Sequence, residues 1–170
     1  MIVVIDVGYG EKEAYVAGVF AEEVHSAESC GFLRLKVKNY GDYESGQFYK
    51  RELPCVKAIL EKVNPRVLDF IIVDGYADFG TERVSLGQAV YMAYGIPTIG
   101  IAKKACQYCV LLDTEVFRGS SRSPLFVTSY GITQEEAKSI VKGMSGKNRL
   151  PYLVKLADSY ARGSVSHGIR

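Results

Sequence analysis

Three carboxylates stand out because their surroundings argue against them. Asp6 interrupts MIVVIDV, a nearly continuous apolar run that reads as a strand buried on both faces. Asp74 ends the run VLDFIIVDG, just before Gly75, and Glu52 sits in FYKRELP, beside Lys50 and Arg51 and two residues before Pro54. A buried carboxylate is costly unless it has a counter-charge, a set of donors or a metal. If the strands carrying Asp6 and Asp74 are neighbours, both reach one cation. Mg²⁺ suits such a place, since it takes one or two carboxylates, keeps several waters and binds phosphate oxygens. With Glu52 added from a nearby helix, the set fits metal-assisted phosphodiester hydrolysis. The residues also allow a plainer reading. Asp commonly caps a turn at a strand end, which fits Asp74-Gly75 better than Asp6, because Val7 continues the apolar run. The cluster Lys50-Arg51-Glu52, taken alone, reads equally as a solvated face entering a helix.

The elements that must position these acids follow from periodicity. After MIVVIDV, the turn GYGEKE leads to AYVAGVF, and GFLRLKVK (31–38) alternates apolar and basic residues, with Arg34, Lys36 and Lys38 on its outer face. Together these predict an antiparallel three-strand meander. VKAILEKV has helical spacing and stops near Asn64-Pro65. Pro54 is tolerated in a first helical turn but kinks an interior, so Glu52 belongs to a helix start or a kink. VLDFIIVDG, IPTIGIA (96–102) and PLFVTS read as strands, ERVSLGQAVYMAYG and LPYLVKLADSYARG as helices. TQEEAKSIVKGM is a further helix, with Thr133 and Glu136 forming a capping box. The order predicts an α/β fold with a mixed central sheet, the antiparallel N-terminal meander and flanking helices.

At 170 residues the chain is expected to form one domain over 1–163, with 164–170 as a flexible tail. Its 48% apolar and 24% charged residues exclude a disordered chain. Apolar runs such as LDFIIV and CVLL are far too short to cross a bilayer. The net charge of +2 permits a nucleic-acid partner without demanding one. Four cysteines without a secretion signal predict free thiols and a cytoplasmic location. Cys106 and Cys109 form a C-x-x-C, but no second ligand pair completes a zinc site and no thioredoxin-like context supports redox work. IDVGYG is similar to the first phosphate loop of the sugar-kinase and actin superfamily, yet no second phosphate loop follows.

VVIDV, YESGQFYKRELP, VDG, IPTIGIAKK and RLPYLVKLAD, in this order and spacing, resemble the endonuclease V family from about Ile2 to Arg162. The resemblance implies an RNase H-like fold and an enzyme acting on inosine in DNA or RNA. It matches Asp6, Glu52 and Asp74 to acids that bind Mg²⁺ or Mn²⁺, and Lys103 to a lysine near the scissile phosphate. Tyr43 falls at an aromatic wedge beside the extruded base, and Gly46, Gly75 and Gly100 fall where the backbone approaches hypoxanthine. Lys50 and Arg51 are then expected near phosphates. The chain also departs from the family. Where the family has D-G-x-G-x-x-H-P-R this sequence has DGYADFGTER, which puts Gly80 at the histidine. A second family histidine falls near Tyr130 in VTSYGIT, while His25 and His167 lie away from any motif and are expected at the surface. Two functions follow: a Mg²⁺- or Mn²⁺-dependent endonuclease, or a nucleic-acid-binding relative that no longer cleaves.

Overall fold

The computed structural model describes residues 1–38, 40–42 and 44–164, so Tyr43, His167 and nearly all of the expected tail lie outside the described residues. The meander forms as expected. β1 (Ile2–Tyr9), β2 (Ala14–Ala21) and β3 (Gly31–Val37) pair antiparallel, with Asp6 opposite Ala17. β4 (Phe70–Asp74) pairs parallel to β1, with Ile5 opposite Val73, and β5 (Thr98–Ala102) pairs parallel to β4, with Asp74 opposite Ile101. β6 (Glu115–Val116), a two-residue strand without a signal of its own in the sequence, and β7 (Leu125–Tyr130) run antiparallel at the far edge. The sheet order is β3-β2-β1-β4-β5-β7-β6.

Side-chain alternation sends residues to two cores. Val3, Ile5, Ile71 and Val73 pack against α1 (Tyr49–Leu60) and α2 (Leu86–Tyr94). Ile2, Val4, Ile72, Ile99 and Val127 pack against α3 (Gln134–Gly143) and α4 (Tyr152–Arg162). Asp6 and Asp74 share the parity of Val4 and Ile72, so both belong to the α4 face of the sheet. β4 starts later than VLDFIIVDG suggests, because Pro65–Val67 forms a 3₁₀ turn capped by the Asn64 side chain. The Thr133–Glu136 capping box is formed and starts α3.

The question of Glu52 and Pro54 resolves in favour of a helix start. α1 begins at Tyr49, places Glu52 in its first turn and carries Pro54 inside. Proline has no N–H to donate to the carbonyl four residues back, that of Lys50. A side chain on Gly41 would come within 3.0 Å of that oxygen, so a glycine there lets the preceding loop lie directly over the helix backbone. Among the described residues no helix is long and apolar enough to cross a membrane.

Candidate active site

The parallel pairing of β1 and β4 brings Asp6 and Asp74 side by side at the strand ends. They line one cavity of about 490 Å³ together with Asp158 of α4, Arg34, Arg162 and Tyr15. One Asp6 oxygen accepts from the next amide, Val7 N, at 2.8 Å, within β1 and not in a turn. Gly75 N donates to Ile101 O at 3.0 Å and continues the ladder, so Asp74-Gly75 is not a capped turn. Glu52 arrives from the opposite face. Its side chain is buried, and Tyr9 Oη donates to Glu52 Oε1 at 3.4 Å.

Burial and repulsion from nearby acids raise all three carboxyls. Burial, then the nearby Asp74, pushes the Asp6 carboxyl up to about 7. Glu52 rises to about 8, first through burial and then through Asp74 and Asp6. Asp74 is also raised, chiefly by burial, while Lys103 draws it down. Lys103 Nζ stands 3.8 Å from Asp158 Oδ1, and Arg162 Nε donates to the same oxygen at 2.9 Å. Arg149 holds the Lys103 backbone in place by donating to its carbonyl. Among the described residues no group of three or more His, Cys, Asp or Glu side chains closes a metal cage. Asp6 and Asp74 nevertheless fit a hard, hydrated divalent ion, which needs only one or two carboxylates and is favoured by acids otherwise forced towards protonation.

Asp158 is the acid that sequence reasoning missed. It lies inside RLPYLVKLAD, but on an amphipathic helix a single acid is indistinguishable from the polar face. The close approach of α4 makes it part of the site. A side chain on Gly8 would meet Ala161 O at 2.8 Å, Arg34 Nε donates to Tyr160 O at 2.8 Å, and Phe32 stacks on Tyr160 with ring centroids 4.1 Å apart. Arg34 is thus half-buried under α4, not simply displayed on the outer face of β3.

Asp74 also borders a second cavity, of about 620 Å³, whose walls carry Glu52, Gly46, Gly75 and the aromatics Phe48, Tyr76, Phe79 and Tyr108. Tyr76 and Phe79 stack at 5.6 Å, and the Arg83 guanidinium lies 4.3 Å from the Tyr108 ring centroid. This cavity is made of loops tied together by hydrogen bonds. Tyr76 Oη donates to Lys104 O at 3.0 Å and accepts from Cys106 N at 2.9 Å. Ala77 N donates to Thr128 Oγ1 at 2.8 Å, and Ser85 Oγ donates to Ala77 O at 2.5 Å. Gly100 is buried in β5, behind this wall. A side chain there would come within 2.3 Å of Ala77 N, so Gly100 gives the 75–77 loop room to settle on the sheet.

A family model described as Endonuclease V matches residues 1–125. The chain belongs to the endonuclease V family. Among its relatives, endonuclease V of Azotobacter vinelandii is 26% identical over 188 residues, covering 95% of this chain and 81% of that protein. The Thermococcus kodakarensis endonuclease V is 27% identical over 166 residues, covering 95% of this chain and 78% of that one. The crystal structure of Ciona intestinalis endonuclease V with a 24mer DNA containing an inosine followed by a ribo-adenosine superposes with TM-score 0.79 at 21% identity, covering 96% of this chain and 84% of that chain. The Bacillus subtilis endonuclease V structure gives TM-score 0.76 at 21% identity, covering 96% and 79%. The fold is therefore RNase H-like, as the sequence motifs implied. Membership of this family supports a nuclease acting on nucleic acids.

The remaining expected positions separate clearly. Lys50 is exposed and pairs with Glu44 at 3.1 Å, while Arg51 is half-buried, 4.0 Å from the Tyr9 ring centroid and 5.1 Å from that of Tyr40. Gly80 has φ +67°, a backbone conformation in which a histidine would be strained, and a side chain there would press on Leu111. Tyr130, near which a second family histidine falls, pairs with Thr98 at the start of β5, while Asp74 pairs near that strand's end. Tyr130 therefore sits at the wrong end of the sheet to support the acids. His25 is at the surface, its Nδ1 2.7 Å from Gly143 O.

Proposed function

We propose that this protein is a divalent-metal-dependent endonuclease that cleaves a phosphodiester bond of DNA or RNA near inosine, in the cytoplasm. The observation that carries the reading is that Asp74 belongs to both cavities, so an acid-lined phosphate site and an aromatic-walled base site meet at one carboxylate. A Mg²⁺ or Mn²⁺ ion held by Asp6 and Asp74, with Glu52 beside them, would supply charge neutralisation and activation of the attacking water. Lys103 faces the same acids and is placed to hold a phosphate oxygen. Asp158 keeps Lys103 and Arg162 at the edge of that cavity. Phe79, Tyr76 and Tyr108 offer faces on which an extruded base stacks, and Gly46 and Gly75 let the backbone approach it. Tyr43 is assigned the wedge beside that base on family resemblance.

An end-labelled single strand with one inosine, as DNA and as RNA, incubated with excess protein and Mg²⁺ or Mn²⁺, tests the proposal. Metal-dependent cutting one nucleotide beyond inosine, lost in Asp74→Asn, is expected. The tight turn at Gly80 favours one alternative, a binder that does not cleave, and retention of the strand without any cutting would select it.

A further inference from the structure

The loop that contributes Ser45 and Gly46 to the base cavity contributes Tyr40, Gly41 and Asp42 to another, of about 330 Å³, completed by Lys12, Lys38 and Arg51. This third cavity holds three cations and one acid. Its cations differ from their neighbours. Lys36 pairs with Glu13 at 2.8 Å and Lys50 with Glu44 at 3.1 Å, whereas among the described residues Lys12, Lys38 and Arg51 make no ion pair. Arg51 carries the clearest sign of a missing partner. Its guanidinium is held by the rings of Tyr9 and Tyr40, and its buried Nε has no hydrogen-bond partner. A donor left unsatisfied in a cavity with an excess of positive charge is what an oxyanion relieves.

We infer that Lys12, Lys38 and Arg51 form a backbone-phosphate site for the nucleic-acid strand, next to the nucleotide whose base enters the aromatic cavity. The inference rests on the reading of the chain as a nucleic-acid endonuclease. A phosphodiester fits better than a free nucleotide, because the lining is dominated by the cations Lys12, Lys38 and Arg51, and its one aromatic, Tyr40, already has Arg51 near its ring. Site and base cavity share one loop, so a strand bound in both is held on the two sides of residues 40–46. Phosphate contacts of this kind fix register without reading sequence.

The test is an anisotropy titration of a labelled single strand carrying one inosine, without metal, across a salt series. The proteins are the wild type, Lys12→Gln, Lys38→Gln, their double variant and Lys142→Gln. Lys142, exposed in the last turn of α3, controls for the loss of one unit of charge. Each cavity substitution is expected to reduce the slope of log K against log salt by about 0.7 and to weaken binding about 5-fold at roughly 0.1 M salt, the two together about 25-fold. Lysine-to-arginine changes at the same positions keep the slope. Slopes in the cavity variants equal to that of Lys142→Gln overturn this site while leaving the endonuclease reading intact. A wild type that neither binds nor cuts the strand overturns both.

Discussion

The two cavities that share Asp74 are built by different means. The acid cavity is carried on adjacent strands, where the register Ile5–Val73 fixes Asp6 against Asp74 and α4 closes over them. The base cavity is carried on loops, and its shape depends on Tyr76 bridging two of them and on Ala77 lodged against Gly87 and Gly100. Rigid elements hold the residues whose geometry must be accurate, while loops hold those that decide what is accepted. One departure from the family motif falls in a loop, at DGYADFGTER, and the other near Tyr130 at the end of β7, while Asp6 and Asp74 on the strands match the motif.

The largest effect that would sharpen this contrast is on the acids. Asp6→Asn is expected to reduce the single-turnover cleavage rate about 10³-fold while strand affinity stays within about 3-fold. The same change removes a desolvated carboxylate, so the metal-free protein should melt a few degrees higher near neutral pH; lower melting would break the view that the acid cavity sacrifices stability. Phe79→Ala should act on the other cavity. It is expected to lower the preference for inosine-containing over unmodified strand about 10-fold, read as a ratio of kcat/KM values, because one stacking face is lost. An equal loss on both strands would deny the loops their selective role.

Gly100→Ala probes the support beneath the base cavity. The added methyl would press on Ala77 N, and a loss of about 1–3 kcal/mol in urea unfolding is expected. The smallest effect is the pH dependence of the metal-free protein. Asp6 and Glu52 are raised from ordinary values of 3.8 and 4.5 to about 7 and about 8. The folded state therefore binds their protons more tightly than the unfolded one. The stability they contribute is fully present below about pH 4 and is lost as pH rises through 7 for Asp6 and 8 for Glu52. Thermal melts should fall across that window, and Mg²⁺ should flatten the fall by giving the carboxylates a counter-charge. A metal-free melting point that rises from pH 5 to 8 would contradict the placement of these acids.

Much of the fold was legible because it depends on local pattern. The alternation of GFLRLKVK, the apolar run around Asp6 and the Thr133–Glu136 pair each specify an element within a few residues. Glu52 could be read only as a helix start or a kink, since Pro54 allows both; α1 starts at Tyr49 and puts Glu52 in its first turn. β6 escaped notice because two residues carry no periodicity, and their pairing is dictated by β7.

The sequence by itself determined the helices, every strand but β6, and the presence of acids at Asp6 and Asp74 that a buried strand does not tolerate without a reason. Tertiary structure alone decided which acids meet. Asp158 enters the site because glycine at position 8 lets α4 descend onto β1, and Tyr130 is excluded because strand pairing carries it to the other end of the sheet. Hydrophobic periodicity reports which face of an element is buried. Which ends of distant elements come together is set by strand order and close backbone packing, and those are properties of the assembled sheet.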